Sequence, residues 1–202
     1  RADAERNVAQ HGDPAAAQAK FLDVARRTRD EALFRRTVEV ALQARSGDQA
    51  LVSARAWRQA LPESLEALRF EFQILAVSNR GSELAETMRL LLARTPEGER
   101  NSALAGLPRM TQRIADKAAL AKQMDEVLKP YLDAPATRTA ARVASARLWA
   151  QAGDAERALA LAERAQADDG AAAGPVFLAL ELMAGQPAAE KIVTKYLAHP
   201  KA

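Results

Sequence analysis

The side chains that could do chemistry are few in this sequence and poorly spaced for it. His11 and His199 are its only histidines, one near each end of the chain and each beside an expected helix end. A histidine general base needs a nucleophile and an orienting carboxylate, and a HExxH-type zinc site needs two histidines one helical turn apart. That spacing provides neither. No serine stands in a GxSxG context, and no GxxxxGK[ST] loop is present to cradle phosphates. Cysteine is absent, which removes disulfides and thiolate metal ligands. The acidic pairs Asp125-Glu126 and Asp168-Asp169 read as solvated helix ends, the second marking a turn before Gly170. No catalytic residue, metal ligand or cofactor is therefore expected, and the sequence reads as that of a binding protein rather than an enzyme.

The elements that would position a binding surface are helices. Of 202 residues 49% are hydrophobic, yet only 4% are aromatic, and Ala and Leu dominate. Those two residues lose least on entering a helix, whereas a sheet would need the β-branched and aromatic residues that are scarce here. Glycine and proline, nine each, leave room for long uninterrupted runs. No run approaches the roughly 18 apolar residues of a membrane helix; the stretch from Val176 to Ala184 is short and contains Glu181. The chain opens at Arg1 inside a helical pattern and shows no signal peptide, so an upstream segment is expected.

A fixed period organises these helices. Pro62, Pro96 and Pro130 stand 34 residues apart, each after a helical run, where proline acts as a stop. Gly47, Gly81 and Gly185 precede Pro62, Pro96 and Pro200 by 15 residues, which suits the left-handed residue that closes one helix before the next begins. In the third unit Ala115-Asp116 replaces the glycine, with Asp116 as the N-cap. The stretch from Thr139 to Gly170 resembles a tetratricopeptide repeat, with Ala146, Trp149, Gly153, Ala158, Ala162 and Ala165 at its small, aromatic and turn positions. Small residues there let helices approach closely, while Trp149 fills the space between hairpins. Trp57 reads as the same kind of core residue.

The expected fold is therefore all-α: a right-handed superhelical solenoid of antiparallel helix hairpins, forming one repeat domain over 1–202. A partial unit, 1–28, contains the turn His11-Gly12-Asp13 and a helix from about Pro14 to Thr28. Repeats follow over 29–62, 63–96, 97–130, 131–168 and 169–200. Gly106 and Pro108 should break or bend the first helix of the third unit near Leu107. The linker Asp133-Ala134-Pro135-Ala136 should add an irregularity. Phe34, Val38, Ala41 and Leu42 make one apolar stripe; Leu65, Leu68, Phe72, Leu75 and Ala76 make another, joined by a second face of Phe70, Ile74 and Val77. The rival architecture, a closed four-helix bundle, would not need equally spaced stops.

The segment from Phe21 to Leu68 carries a narrower likeness. Ala25-Arg26-Arg27-Thr28-Arg29-Asp30, then Ala54 through Trp57, then Pro62 to Ala67, resemble the opening repeats of proteobacterial outer-membrane tetratricopeptide-repeat lipoproteins. That resemblance implies the periplasmic side of the outer membrane and an adaptor role toward a carboxyl-terminal processing protease. The lipid-accepting cysteine would have to lie upstream.

Stacked hairpins present a concave surface lined by the first helix of each unit. Its expected lining is Arg35, Glu39 and Gln43 from the first full unit, Arg69 and Gln73 from the second, and Arg142, Arg147 and Gln151 from the fourth. Those arginines are expected to hold carboxylates of a protein or peptide partner. Two other readings belong to different classes. Lys and Arg outnumber Asp and Glu by 29 to 26, and the first 62 residues hold the excess, 11 to 8. Their run Arg26, Arg27, Arg29, Arg35 and Arg36 could meet nucleic acid, although so few aromatics leave little for bases to stack on. Self-association through solenoid ends is the other.

Overall fold

A computed structural model describes residues 14–200 and resolves them into two compact units divided between Ser78 and Asn79. All regular structure among the described residues is helical.

The first unit holds α1 (Pro14–Thr28), α2 (Glu31–Gln43), α3 (Gly47–Ala60) and α4 (Leu65–Val77). Local chemistry sets the starts. The Asp30 carboxylate accepts from the amides of Ala32 at 2.9 Å and Leu33 at 3.3 Å, and Ser64 Oγ accepts from Ala67 at 3.1 Å. Each cap satisfies a donor that the first turn leaves open, and removing one costs about 1 kcal/mol. From α2, Phe34, Thr37, Val38 and Ala41 are buried, which follows the helical period. Trp57 of α3 is fully buried, stacked on Phe34 of α2 at 6.4 Å and tilted against Phe70 of α4 at 5.7 Å. It joins a hairpin to the helix that follows it. Beside it, the buried Glu71 accepts from Arg55 Nε at 3.2 Å and from Arg58 Nε at 2.6 Å, both on α3.

The second unit holds α5 (Gly81–Arg94), α6 (Glu97–Met110), α7 (Lys117–Asp133), α8 (Pro135–Gln151), α9 (Ala155–Asp168), α10 (Ala173–Leu182), a 3-10 turn (Pro187–Ala189) and α11 (Glu190–Leu197). Asp116 caps α7 through Ala119, and Asp154 caps α9 through Arg157. The closing core gathers Ala146, Leu159, Ala162, Val176, Leu178, Ala179, Ala189 and Ile192.

Within each unit, residues about one period apart are hydrogen-bonded. In the first, Gln18 of α1 reaches Ser53 of α3, 35 positions on. Arg35 of α2 reaches Glu66 of α4, 31 on, and Glu31 accepts from Ser64, 33 on. In the second, the separations are 36 for Asn79 and Ala115, 35 for Asn101 and Ala136, 34 for Arg147 and Glu181, and 32 for Asp125 and Arg157. Within each unit several helices therefore touch the helix two places on as well as their immediate neighbour.

Several local expectations fail, each for a physical reason. Among the described residues the left-handed ones are Arg29, Arg45 and Asn79, together with Gly153. Gly47 and Gly81 instead open α3 and α5, two residues later, and Gly185 is not left-handed. Gly81 serves close approach: a Cβ there would lie 3.0 Å from Ile114 Cγ2. Pro130 does not stop α7, which runs to Asp133. Proline removes only the bond to the carbonyl of Glu126, a residue exposed enough for water to replace it. The presumed linker is consequently absorbed, leaving Ala134 alone between α7 and α8. Pro108 likewise leaves α6 continuous to Met110, and the hydroxyl of Thr111 donates to the carbonyls of Leu107 and Pro108 at its end. Leu42 and Val77, assigned to apolar faces, are 42% and 61% exposed.

Candidate functional site

Two hollows lie on first helices, one in each unit. The first, about 340 Å³, is lined by Leu42 of α2, Arg45 of the following turn, Gly47 at the start of α3, Phe70, Gln73, Ile74 and Val77 of α4, and Ser78. Its floor is apolar because Ile74 is buried and Phe70 partly so, while Leu42 and Val77 form exposed walls. The turn that carries Arg45 is closed by backbone bonds from Ser46 to Ala41 and from Arg45 to Leu42, 2.9 and 3.0 Å. That double closure places Arg45 in the left-handed region at φ 56° and satisfies the last carbonyls of α2. Arg45 itself is exposed, and no carboxylate among the described residues pairs with it.

The second hollow, about 510 Å³, lies among α6, α8 and α10. Small residues such as Ala105, Ala140 and Gly174 line it, and Asp168 and Asp169 supply its charge. Gly174 approaches Val143 closely: a Cβ there would come within 3.2 Å of both its methyls, which would have to give by a few tenths of an ångström.

The expected surface residues are placed unequally. On the first unit, Arg35 is exposed but bonded to Glu66 at 2.5 Å, and that contact raises its pKa above the usual arginine value. Glu39 pairs with Arg36 at 3.5 Å. Gln43, Arg69 and Gln73 are exposed, Arg69 with polar contacts inside the chain, and Gln73 lines the first hollow. On the second unit, Arg142 bonds to Asp168 of α9, Arg147 donates to Glu181 of α10 at 3.0 Å, and Gln151 donates to the carbonyl of Pro108 at 3.3 Å. Arg35, Arg142 and Arg147 thus already hold carboxylates of their own chain, so a partner's acid would have to displace them. Within the first unit the structure brings Gln73 together with Leu42, Arg45 and Val77. Sequence reasoning missed those three as lining; the available signal was a left-handed turn residue between two apolar helix ends.

Of the acidic pairs, Asp168-Asp169 stands exposed at the end of α9 and Glu126 is exposed, whereas Asp125, inside α7, departs from a solvated end. Asp125 is a junction: it accepts from Ser145 Oγ at 2.6 Å, Trp149 Nε1 at 3.0 Å and Arg157 at 2.8 Å. The Arg157 guanidinium lies 3.8 Å over the buried Trp149 ring. Asp169 marks the turn as expected, accepting from the Ala171 amide at 3.0 Å. His199 sits at the end of the second unit beside Gly170, and His11 lies outside the described residues. Among the described residues no helix is long and apolar enough to cross a membrane.

No protein-family model and no curated protein matches this chain.

Proposed function

We propose that the chain is a tetratricopeptide-type repeat scaffold that binds a polypeptide on the surfaces lined by its first helices, and that its work is recognition rather than catalysis. The supporting observation is the set of hydrogen bonds between residues 31 to 36 positions apart, which within each unit ties several helices to the helix two places on. A stack built that way leaves first helices side by side with hollows between them. The resemblance of Phe21 to Leu68 to outer-membrane lipoproteins makes a carboxyl-terminal processing protease in the periplasm the partner to try first.

Two measurements test this reading. Scattering in solution should give a radius of gyration clearly above the roughly 17 Å of a compact globule of this length; a value at that figure would contradict a repeat stack. Immobilised protein should capture the purified protease, and Gln43→Glu combined with Gln73→Glu, both exposed, should weaken capture at least ten-fold at unchanged Tm. Equal capture would remove these helices as the binding surface. Arg142→Glu is a poor probe, because it sets a second carboxylate against Asp168 and would unfold what it was meant to test.

A further inference from the structure

From the first hollow we infer what kind of segment this scaffold takes: a stretch of another polypeptide with a leucine-sized apolar residue and a carboxylate next to it. The inference rests on the polypeptide-binding reading and gives it a chemistry. Three observations carry it. The floor and walls are apolar, with Leu42 and Val77 left 42% and 61% exposed around Phe70 and Ile74, so an apolar side chain entering there removes surface from water on both sides. The single charged residue of the lining is Arg45, whose guanidinium has no carboxylate partner among the described residues, unlike Arg35 and Arg58 of the same unit. Finally, the backbone closure from Ser46 to Ala41 and Arg45 to Leu42 occupies the terminal carbonyls of α2, which would otherwise repel an incoming acid. Gln73, on the same lining, offers an amide that can both donate to and accept from a peptide backbone.

The decisive variant is Arg45→Gly. Glycine suits the left-handed turn better than arginine does, so this change removes the cation without harming the fold. The probes are two fluorescein-labelled octapeptides, one with a central Leu-Leu-Asp and one with Leu-Leu-Lys. Both are titrated against the whole chain while the methyl resonances of Leu42, Ile74 and Val77 are followed. The expected result is that the acidic peptide shifts those methyls and binds about two- to five-fold more tightly than the basic one, the range of an exposed ion pair. Arg45→Gly should bring the two affinities together with Tm held or raised, and Val77→Asp should weaken both peptides.

A basic peptide that binds as well as the acidic one overturns the proposal, as do methyls that stay still at millimolar peptide. So do shifts that follow protein concentration alone, which would make a second copy the occupant. Capture of the protease with unmoved methyls would leave the scaffold reading standing and remove only this hollow from it.

Discussion

Glu71→Ala should cost the first unit about 3 kcal/mol, and the figure follows from the carboxylate's surroundings. The Glu71 side chain is 2% exposed and divides its oxygens between Arg55 and Arg58, at 3.2 and 2.6 Å. Two bonds between charged groups are worth roughly 3–6 kcal/mol together. The two arginines remain 35% and 31% exposed, so on losing Glu71 they recover part of that by turning into water. The chain has two tryptophans, Trp57 in the first unit and Trp149 in the second, so fluorine NMR of fluorotryptophan-labelled protein reports each unit separately. At about 1 kcal/mol per molar urea for a unit of this size, the Trp57 midpoint should fall by roughly 2–3 M. Glu39→Ala is the control in the same unit. Its pair with Arg36, at 3.5 Å and largely exposed, should be worth under about 0.5 kcal/mol. A Glu71→Ala midpoint indistinguishable from the control would mean that burial does not hold this carboxylate between its arginines.

Asp125→Ala removes the shared acceptor of Ser145, Trp149 and Arg157 and should destabilise the second unit by roughly 2–3 kcal/mol, read from the Trp149 resonance in urea. Gly153→Ala should cost about 1 kcal/mol from its φ of 84° alone, since nothing lies within 4 Å of the added methyl; a neutral result in thermal denaturation would contradict the left-handed turn. Gly81→Ala fails differently, by pressing on Ile114 Cγ2, so a double-mutant cycle with Ile114→Ala, which removes that methyl, should show at least about 0.5 kcal/mol of relief. Burial raises the Tyr131 phenol above its ordinary value, partly offset by the Arg100 cation. The folded state then keeps its proton longer than the unfolded chain, so stability is unaffected below about pH 10 and declines as pH rises from there toward the folded value. Ultraviolet titration of Tyr196→Phe protein should place the remaining phenol above 10, and an ordinary value would contradict its burial.

The sequence by itself determined the helices and their period. Asp30, Ser64, Asp116 and Asp154 bind amides two or three residues away, and Phe34, Val38 and Ala41 repeat at the spacing of one helix face, so these choices are made within a turn or two of chain. The same locality misled at Pro130 and Pro108, where a rule about single residues was overruled because the helix could lose one bond and continue. Position along the helix could place Arg142, Arg147 and Gln73 on an outward row, but not say what each would meet.

Only the tertiary structure decided that Arg142 closes on Asp168 and Arg147 on Glu181, that Asp125 is a partly buried junction and not a solvated end, and that Leu42 and Val77 stay uncovered beside Arg45. Many of the partners concerned lie about one period apart, and their meeting depends on how closely one hairpin settles on the next. That distance is set by packing across residues such as Gly81 against Ile114 and Gly174 against Val143, which no pattern within a single helix encodes.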